Sequence, residues 1–226
     1  MDTELPSGTP AHLATTAGAA RGLVVVPDIW GLRPLFTDMC DDLAARTGWS
    51  VGTFELFPDR DLPGEKEPDA GPTRFAAVPD LSDDRVLGDA VATADALGCD
   101  DVGLIGFCIG GMYALKASAT GRFDRVGAFY GMIHVPETWH GPEQGEPLEA
   151  LARRGGTDVV EVVGSVDGYT PPEHVRELRD AGVEVLLYEG ADHGFVHDPS
   201  RPTHRAEDAA DAWQRVLSFL ADGPPA

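Results

Sequence analysis

Residues 102–117 read Val-Gly-Leu-Ile-Gly-Phe-Cys-Ile-Gly-Gly-Met-Tyr-Ala-Leu-Lys-Ala. The apolar beginning suits a buried strand, and the run from Met112 to Ala117 suits a helix. Between them, Gly106-Phe107-Cys108-Ile109-Gly110 has the layout of a nucleophile elbow, with cysteine where serine is usual. A sharp strand-to-helix turn there lifts the Cys108 side chain above the sheet edge. Gly106 and Gly110 leave the backbone room for the turn, and Gly111 eases helix–strand contact.

Two partners are expected downstream. Asp167 follows the β-rich run Val162-Val163-Gly164-Ser165-Val166, and His193 lies in Glu189-Gly190-Ala191-Asp192-His193-Gly194-Phe195 after another. The order nucleophile, acid, histidine is that of the α/β-hydrolases. All three residues follow the C-terminal ends of predicted strands, where open α/β sheets keep their sites. The thiolate is the competent form of a cysteine nucleophile, and a helix start favours negative charge. His193 can accept the thiol proton, and Asp167 can hold the imidazole in the required tautomer. For a developing oxyanion, the Ile109 N–H follows the nucleophile directly, and the turn Ile29-Trp30-Gly31 offers the Trp30 N–H.

Further out, Leu23-Val24-Val25-Val26 reads as a strand buried on both faces. Pro34 opens a helix with Leu35, Met39, Leu43 and Ala44 on one side, and Val51, Thr53 and Glu55 mark the next strand. Residues 58–81 are rich in Pro, Gly, Asp and Glu and read as a long surface loop bordering a site. Ser82 is the expected N-cap of a helix running to Leu97. Later strands are expected at Val126–Tyr130, Val159–Val163 and Val183–Tyr188. Helices are expected at Pro147–Arg154, from Pro171-Pro172 to Gly182, and at Arg205–Leu220. The first twenty residues suit a small antiparallel extension. The pattern predicts an α/β fold: a mostly parallel central sheet with helices on both faces, in one domain spanning 1–226 with its core at about 22–220.

The 226 residues carry 38 acidic and 17 basic side chains, a formal charge of −21. Such a surface repels phosphate backbones and anionic membranes, so neither nucleic acid nor a membrane is an expected partner. The acidic N-terminus lacks a signal-peptide pattern, and Cys40, Cys99 and Cys108 form no disulfide framework. A cytoplasmic protein, monomeric or a small homo-oligomer, is the simplest expectation. His193, His197 and Asp192 superficially suggest a metal cluster, but Gly194 and Asp198-Pro199 argue for a loop, and no H-E-x-x-H pattern accompanies them. No metal and no cofactor is expected.

The sequence resembles the dienelactone hydrolase family of α/β-hydrolases. The resemblance rests on Val24–Leu32 (VVVPDIWGL), Gly106–Gly111 (GFCIGG), Phe129-Tyr130-Gly131, Gly164-Ser165-Val166-Asp167 and Gly190–Phe195 (GADHGF), and covers roughly residues 22–220. It implies the α/β-hydrolase fold, a Cys108–Asp167–His193 triad, oxyanion donors at Trp30 and Ile109, and a cofactor-free hydrolase acting on a small-molecule ester or lactone. Thioesterase or acyltransferase chemistry is the alternative, and a non-catalytic binding protein on the same fold is the outside case.

Two departures bear on the substrate. The family pattern has a glutamate at the start of the early turn that engages the resting cysteine, whereas this chain has Asp28 as the candidate modulator. An arginine four residues after the catalytic histidine binds substrate carboxylate in the family; here that position is His197, expected on the pocket rim. Arg33, Arg74, Arg85 and Arg201 are the candidate replacements, and spacing does not choose among them. Tyr130 is a further candidate substrate contact.

Overall fold

A computed structural model describes residues 1–221; residues 222–226, the end of the expected 1–226 domain, lie outside the described residues. Eight strands form one sheet: β1 (Asp2–Glu4), β2 (Pro10–Ala14), β3 (Arg21–Val26), β4 (Ser50–Phe54), β5 (Asp101–Phe107), β6 (Arg125–Phe129), β7 (Asp158–Gly164) and β8 (Glu184–Tyr188). Their order is β1-β2-β4-β3-β5-β6-β7-β8. β1 and β2 pair antiparallel at one edge, as the N-terminal extension was expected to, and every pairing from β4 through β8 is parallel. This is the α/β-hydrolase architecture that the elbow and the alternating pattern imply.

Among the described residues the α-helices are α1 (Pro34–Thr47), α2 (Ala70–Ala77), α3 (Asp83–Ala96), α4 (Ile109–Ala117), α5 (Pro147–Arg153), α6 (Pro172–Asp180) and α7 (Ala206–Ala221). β3 is buried at every position, so its run of valines meets helices on both faces. On one face Phe107 packs against Phe36 of α1 and Trp213 of α7, at ring centroid distances of 5.9 and 5.7 Å. On the other face α4 lies against β5 and β6, flanked by α3 and α5. Proline opens α1, α5 and α6 where a missing N–H costs nothing. Gly48 closes α1 in the left-handed conformation, its N–H bonded to the Ala44 carbonyl.

Two local expectations, for residues 58–81 and for Glu55, are corrected, and that of Ser82 as an N-cap holds in position. The 58–81 segment is not all loop, because α2 and a 3₁₀ turn at Val78–Asp80 form within it. Ala70, Ala77 and Val78 bury an apolar face there that the surrounding Pro and Gly had obscured. Ser82 stands at the N-cap of α3, but its hydroxyl makes no capping bond. Glu55 lies beyond β4, where its carboxylate accepts the Leu32 and Phe57 N–H groups, each at 2.8 Å, and pins the turn after β3. Gly31 has φ 67°, and a Cβ there would sit 2.3 Å from that carboxylate, so any other residue would be strained and would displace Glu55.

Glu161 sits fully buried in the middle of β7, and neither carboxyl oxygen has a hydrogen-bond partner. Burial pushes its pKa well above the usual carboxylate range; the Gly131 backbone opposes the push and the Asp167 charge adds to it. The folded state therefore holds this group as a neutral acid. A raised folded pKa gives stability that is complete below the unfolded pKa and is lost as pH rises toward the folded one. Glu161→Gln, which cannot ionise, should flatten that decline by about 1.4 kcal/mol per pH unit across the interval. Urea midpoints of both proteins from pH 5 to 9 measure it. Parallel pH profiles would show that Glu161 is not the titrating group.

Candidate active site

Cys108 occupies the N-cap of α4, one residue beyond β5, with φ 58° and ψ −119°. A non-glycine residue there is strained, and strain of this kind persists only when the surroundings enforce it. They do so through close backbone approach. A Cβ on Gly106 would lie 2.0 Å from the Gly110 carbonyl oxygen, and one on Gly110 would lie 2.2 Å from that of Pro27. The two glycines thus let β5, α4 and the β3 turn meet, and the elbow follows.

Asp167 and His193 come together as expected. The His193 Nδ1 lies 2.9 Å from the Asp167 carboxylate, whose second oxygen accepts the Tyr169 N–H at 2.9 Å. Asp167 is almost wholly buried, so it keeps a fixed geometry. The remaining imidazole nitrogen, Nε2, is buried without a hydrogen-bond partner. Burial alone lowers the His193 pKa. The neighbouring Cys108 side chain and the hydrogen bond that His193 Nδ1 donates to Asp167 outweigh it and raise the pKa to about 10. An imidazole oriented by a carboxylate, with a free nitrogen beside a sulfur, can move a proton to and from that sulfur.

Cys108 and His193 open into a cleft of about 360 Å³. Ile29, Trp30, Phe75, Tyr169 and Pro202 form its apolar walls, and Glu65 and Arg201 supply its charges. Sequence reasoning named neither Glu65 nor Phe75, although it placed the 58–81 segment beside the site. Nothing in a Pro/Gly-rich run says which of its side chains turns inward.

The oxyanion donors need one correction. The Trp30 N–H already donates to Asp28 Oδ1 at 3.0 Å, and Arg74 holds the preceding Ile29 carbonyl at 3.1 Å, so that peptide is fixed at both ends. Ile29, one residue earlier and lining the cleft, has an N–H with no hydrogen bond among the described residues. Ile109 opens α4, where the first N–H groups lack intrahelical partners. Ile29 and Ile109 are therefore the pair able to face an oxyanion.

Asp28 does not engage the cysteine. Its fully buried carboxylate accepts two bonds from Arg33, at 2.6 and 3.0 Å, one from His197 at 2.9 Å and one from Arg201 at 3.1 Å, besides that of Trp30. Burial disfavours the charge, but these donors overcome it and hold the pKa far below the ordinary carboxylate range. His197 is buried, not on the rim, and stacks on Phe107 at 4.9 Å. Burial lowers its pKa despite Asp28, which favours a neutral ring donating through Nε2. Nδ1 then accepts the Tyr130 hydroxyl. That bond removes Tyr130 from the candidate substrate contacts; its ring instead meets His193 edge-on at 5.0 Å.

The four arginines separate clearly. Arg74 is occupied by the carbonyls of Pro63, Ile29 and Leu62, and straps the loop to the β3 turn. Arg85 binds Thr9 and Asp89 beside a different cavity. Arg33 serves Asp28 and borders a neighbouring cleft. Arg201 alone of the four lines the cleft of Cys108, between Asp28 and Asp198, the latter at 3.7 Å.

Comparison with known proteins places this geometry in context. The model of the dienelactone hydrolase family matches residues 9–223. A Bradyrhizobium protein named a probable 2-oxo-3-(5-oxofuran-2-ylidene)propanoate lactonase is 30% identical over 93% of this chain and 88% of its own length. The carboxymethylenebutenolidase of Rhodococcus opacus is 25% identical over 92% of this chain and 84% of its own. Among solved structures, a Klebsiella pneumoniae protein assigned as a dienelactone hydrolase superposes with a TM-score of 0.86 at 26% identity, covering 98% of both chains.

Proposed function

The chain belongs to the dienelactone hydrolase family, and we propose that it hydrolyses a small ester or lactone with Cys108 as nucleophile, His193 as acid–base and Asp167 as orienter. The observation carrying this reading is the 2.9 Å Asp167–His193 contact, with the unpartnered Nε2 sharing a cleft with the strained Cys108. The Cys108 proton passes to His193, whose raised pKa favours holding it, the sulfur attacks the carbonyl carbon, and the Ile29 and Ile109 N–H groups receive the oxyanion. Loss of one such donor costs about 3–4 kcal/mol of transition-state stabilisation. The proton returns to the departing alkoxide, which in a lactone stays tethered. Water, deprotonated by His193, then releases the acid and restores the thiol.

The substrate in this reading is neutral. The Bradyrhizobium relative is named for a propanoate lactone. In this chain, however, the cleft cation Arg201 faces Asp28 and Asp198, and Glu65 adds a negative charge to the wall. A net charge of −21 gives an anion no long-range attraction. The apolar walls supply most of the binding surface. On the same reading residues 1–226 act as one cytoplasmic domain, monomeric or in a small homo-oligomer, needing no cofactor, nucleic acid or membrane.

A turnover panel of lactones, esters and thioesters, each neutral and carboxylated, tests both parts. A neutral substrate should exceed its carboxylated twin in kcat/KM by about tenfold, the scale of one modest charge interaction. A preference for the anion that salt weakens and Arg201→Gln removes would reverse the substrate assignment. Faster acyl transfer to added thiols or alcohols than to water would favour an acyltransferase.

A further inference from the structure

Away from the cleft, three metal-ligating side chains converge between α6 and the segment after β6. His174 and Glu177 stand three residues apart on α6, hence on neighbouring positions of one helix face. His134 approaches from the other segment, its Nε2 2.8 Å from the Glu177 carboxylate and its ring 4.9 Å from that of His174. One donor atom from each residue lies within 4.8 Å of the others. In a tetrahedral zinc site with bonds of about 2.1 Å, donors stand about 3.4 Å apart, so small side-chain rotations suffice.

Two further observations point to a ligand. The His174 Nδ1 is buried and has no hydrogen-bond partner, an unusual state for an imidazole nitrogen. Glu146 lies 3.9 Å from His134 Nδ1, the nitrogen facing away from Glu177. A carboxylate behind a ligating histidine is the arrangement that fixes its tautomer and raises its basicity. Glu146 is itself held by the Val135 N–H at 3.0 Å and by His140 at 3.2 Å. The His134 and Glu177 side chains remain 39% and 40% exposed, leaving an entry path and a position for water.

We propose that His134, His174 and Glu177 form a binding site for a borderline divalent transition metal of the zinc type, with Glu146 supporting His134. Two imidazoles and one carboxylate suit zinc, cobalt or nickel, whereas magnesium and calcium demand oxygen ligands. The metal takes the place of the hydrogen between His134 Nε2 and Glu177, and the neutral His134 then carries its one ring proton on Nδ1, on the side of Glu146. The metal staples α6 to the segment carrying Trp139. That ring meets Phe75 at 5.6 Å and Tyr169 at 5.8 Å, both walls of the cleft. The site is structural and separate from Cys108 and His193.

The experiment uses the full chain carrying Cys108→Ala, which breaks up the Cys108–His193 thiol–imidazole pair that could also hold zinc. After chelator treatment and dialysis, titration calorimetry with zinc chloride should show one tight site per chain. Magnesium chloride should give none. Cobalt(II) should show the intense visible absorption of a tetrahedral centre. His134→Gln or Glu177→Gln should weaken zinc at least about tenfold, and the His134→Gln/His174→Gln pair should abolish the site. Circular dichroism confirms folding, and if the pair fails that check the single Glu177→Gln variant decides. Absence of zinc binding, equal binding of magnesium, or zinc affinity unchanged in the decisive variant each overturns the proposal.

Discussion

Alanine at Cys108 should reduce kcat/KM on the best ester or lactone by at least about 10⁴-fold, since losing the nucleophile of a coupled triad removes most of its catalysis at once. On the proposed mechanism the sulfur forms the acyl-enzyme, and water in the vacated space lacks its nucleophilicity. His193→Ala should cost nearly as much, and the double variant little more than either alone, because the two act as one unit. Folding should survive: Cys108→Ala removes one small sulfur at the cleft floor and leaves the turn's glycines in place. Iodoacetamide gives a second readout. All three cysteines are buried, but Cys108 lines the cleft beside His193, so it should be labelled before Cys40 or Cys99 and turnover should stop in step. Near-normal kcat/KM in Cys108→Ala on the preferred substrate would rule out nucleophilic catalysis by this residue.

The elbow, the mostly parallel sheet and the positions of Asp167 and His193 were legible because each is announced by a short window of sequence. Gly106 and Gly110 flank Cys108 for a reason that a short window displays, and Asp167 and His193 each follow a strand whose apolar run is visible. Ile29 and Trp30 mark where legibility stops. Which of two adjacent N–H groups faces the cleft depends on Asp28 capturing one of them, and that needs the Arg33, His197 and Arg201 side chains in place. The burial of His197 was equally invisible. A histidine four residues past His193 looks like a rim residue until Phe107, Phe36 and Tyr130 are seen around it. Helix α2 was hidden by composition, since two of its eight residues are Gly and Pro. The His134–His174–Glu177 group joins segments forty residues apart, so no local spacing announces it.

The second large effect belongs to Asp28→Asn. In the wild type one buried carboxylate answers two guanidinium groups, whose side chains are only 16% and 22% exposed, along with His197 and the Trp30 N–H. The amide is nearly isosteric but carries no charge, and its NH₂ faces donors on every side. Removing one partner of a buried ionic cluster typically costs about 3–5 kcal/mol, because the remaining charges stay desolvated without compensation. For a chain of this size that corresponds to a fall in Tm of about 10 °C. The pH dependence identifies the cause. Asp28 has a depressed folded pKa, so its contribution is complete above the unfolded carboxylate range and disappears only as pH falls through the folded value. The stability gap between the two proteins should therefore be constant from pH 5 upward and close in strong acid. Arg201, released from its carboxylate, should also turn toward the cleft it lines and improve kcat/KM for a carboxylated ester relative to its neutral twin. A Tm within about 2 °C of wild type, well under the shift expected for several kcal/mol, would mean that the arginines find other partners and that Asp28 does not organise the floor of the cleft. Gained turnover of the anionic ester with lowered Tm would establish the opposite: a buried aspartate holds the cleft arginine away from substrate, trading carboxylate recognition for a fixed wall.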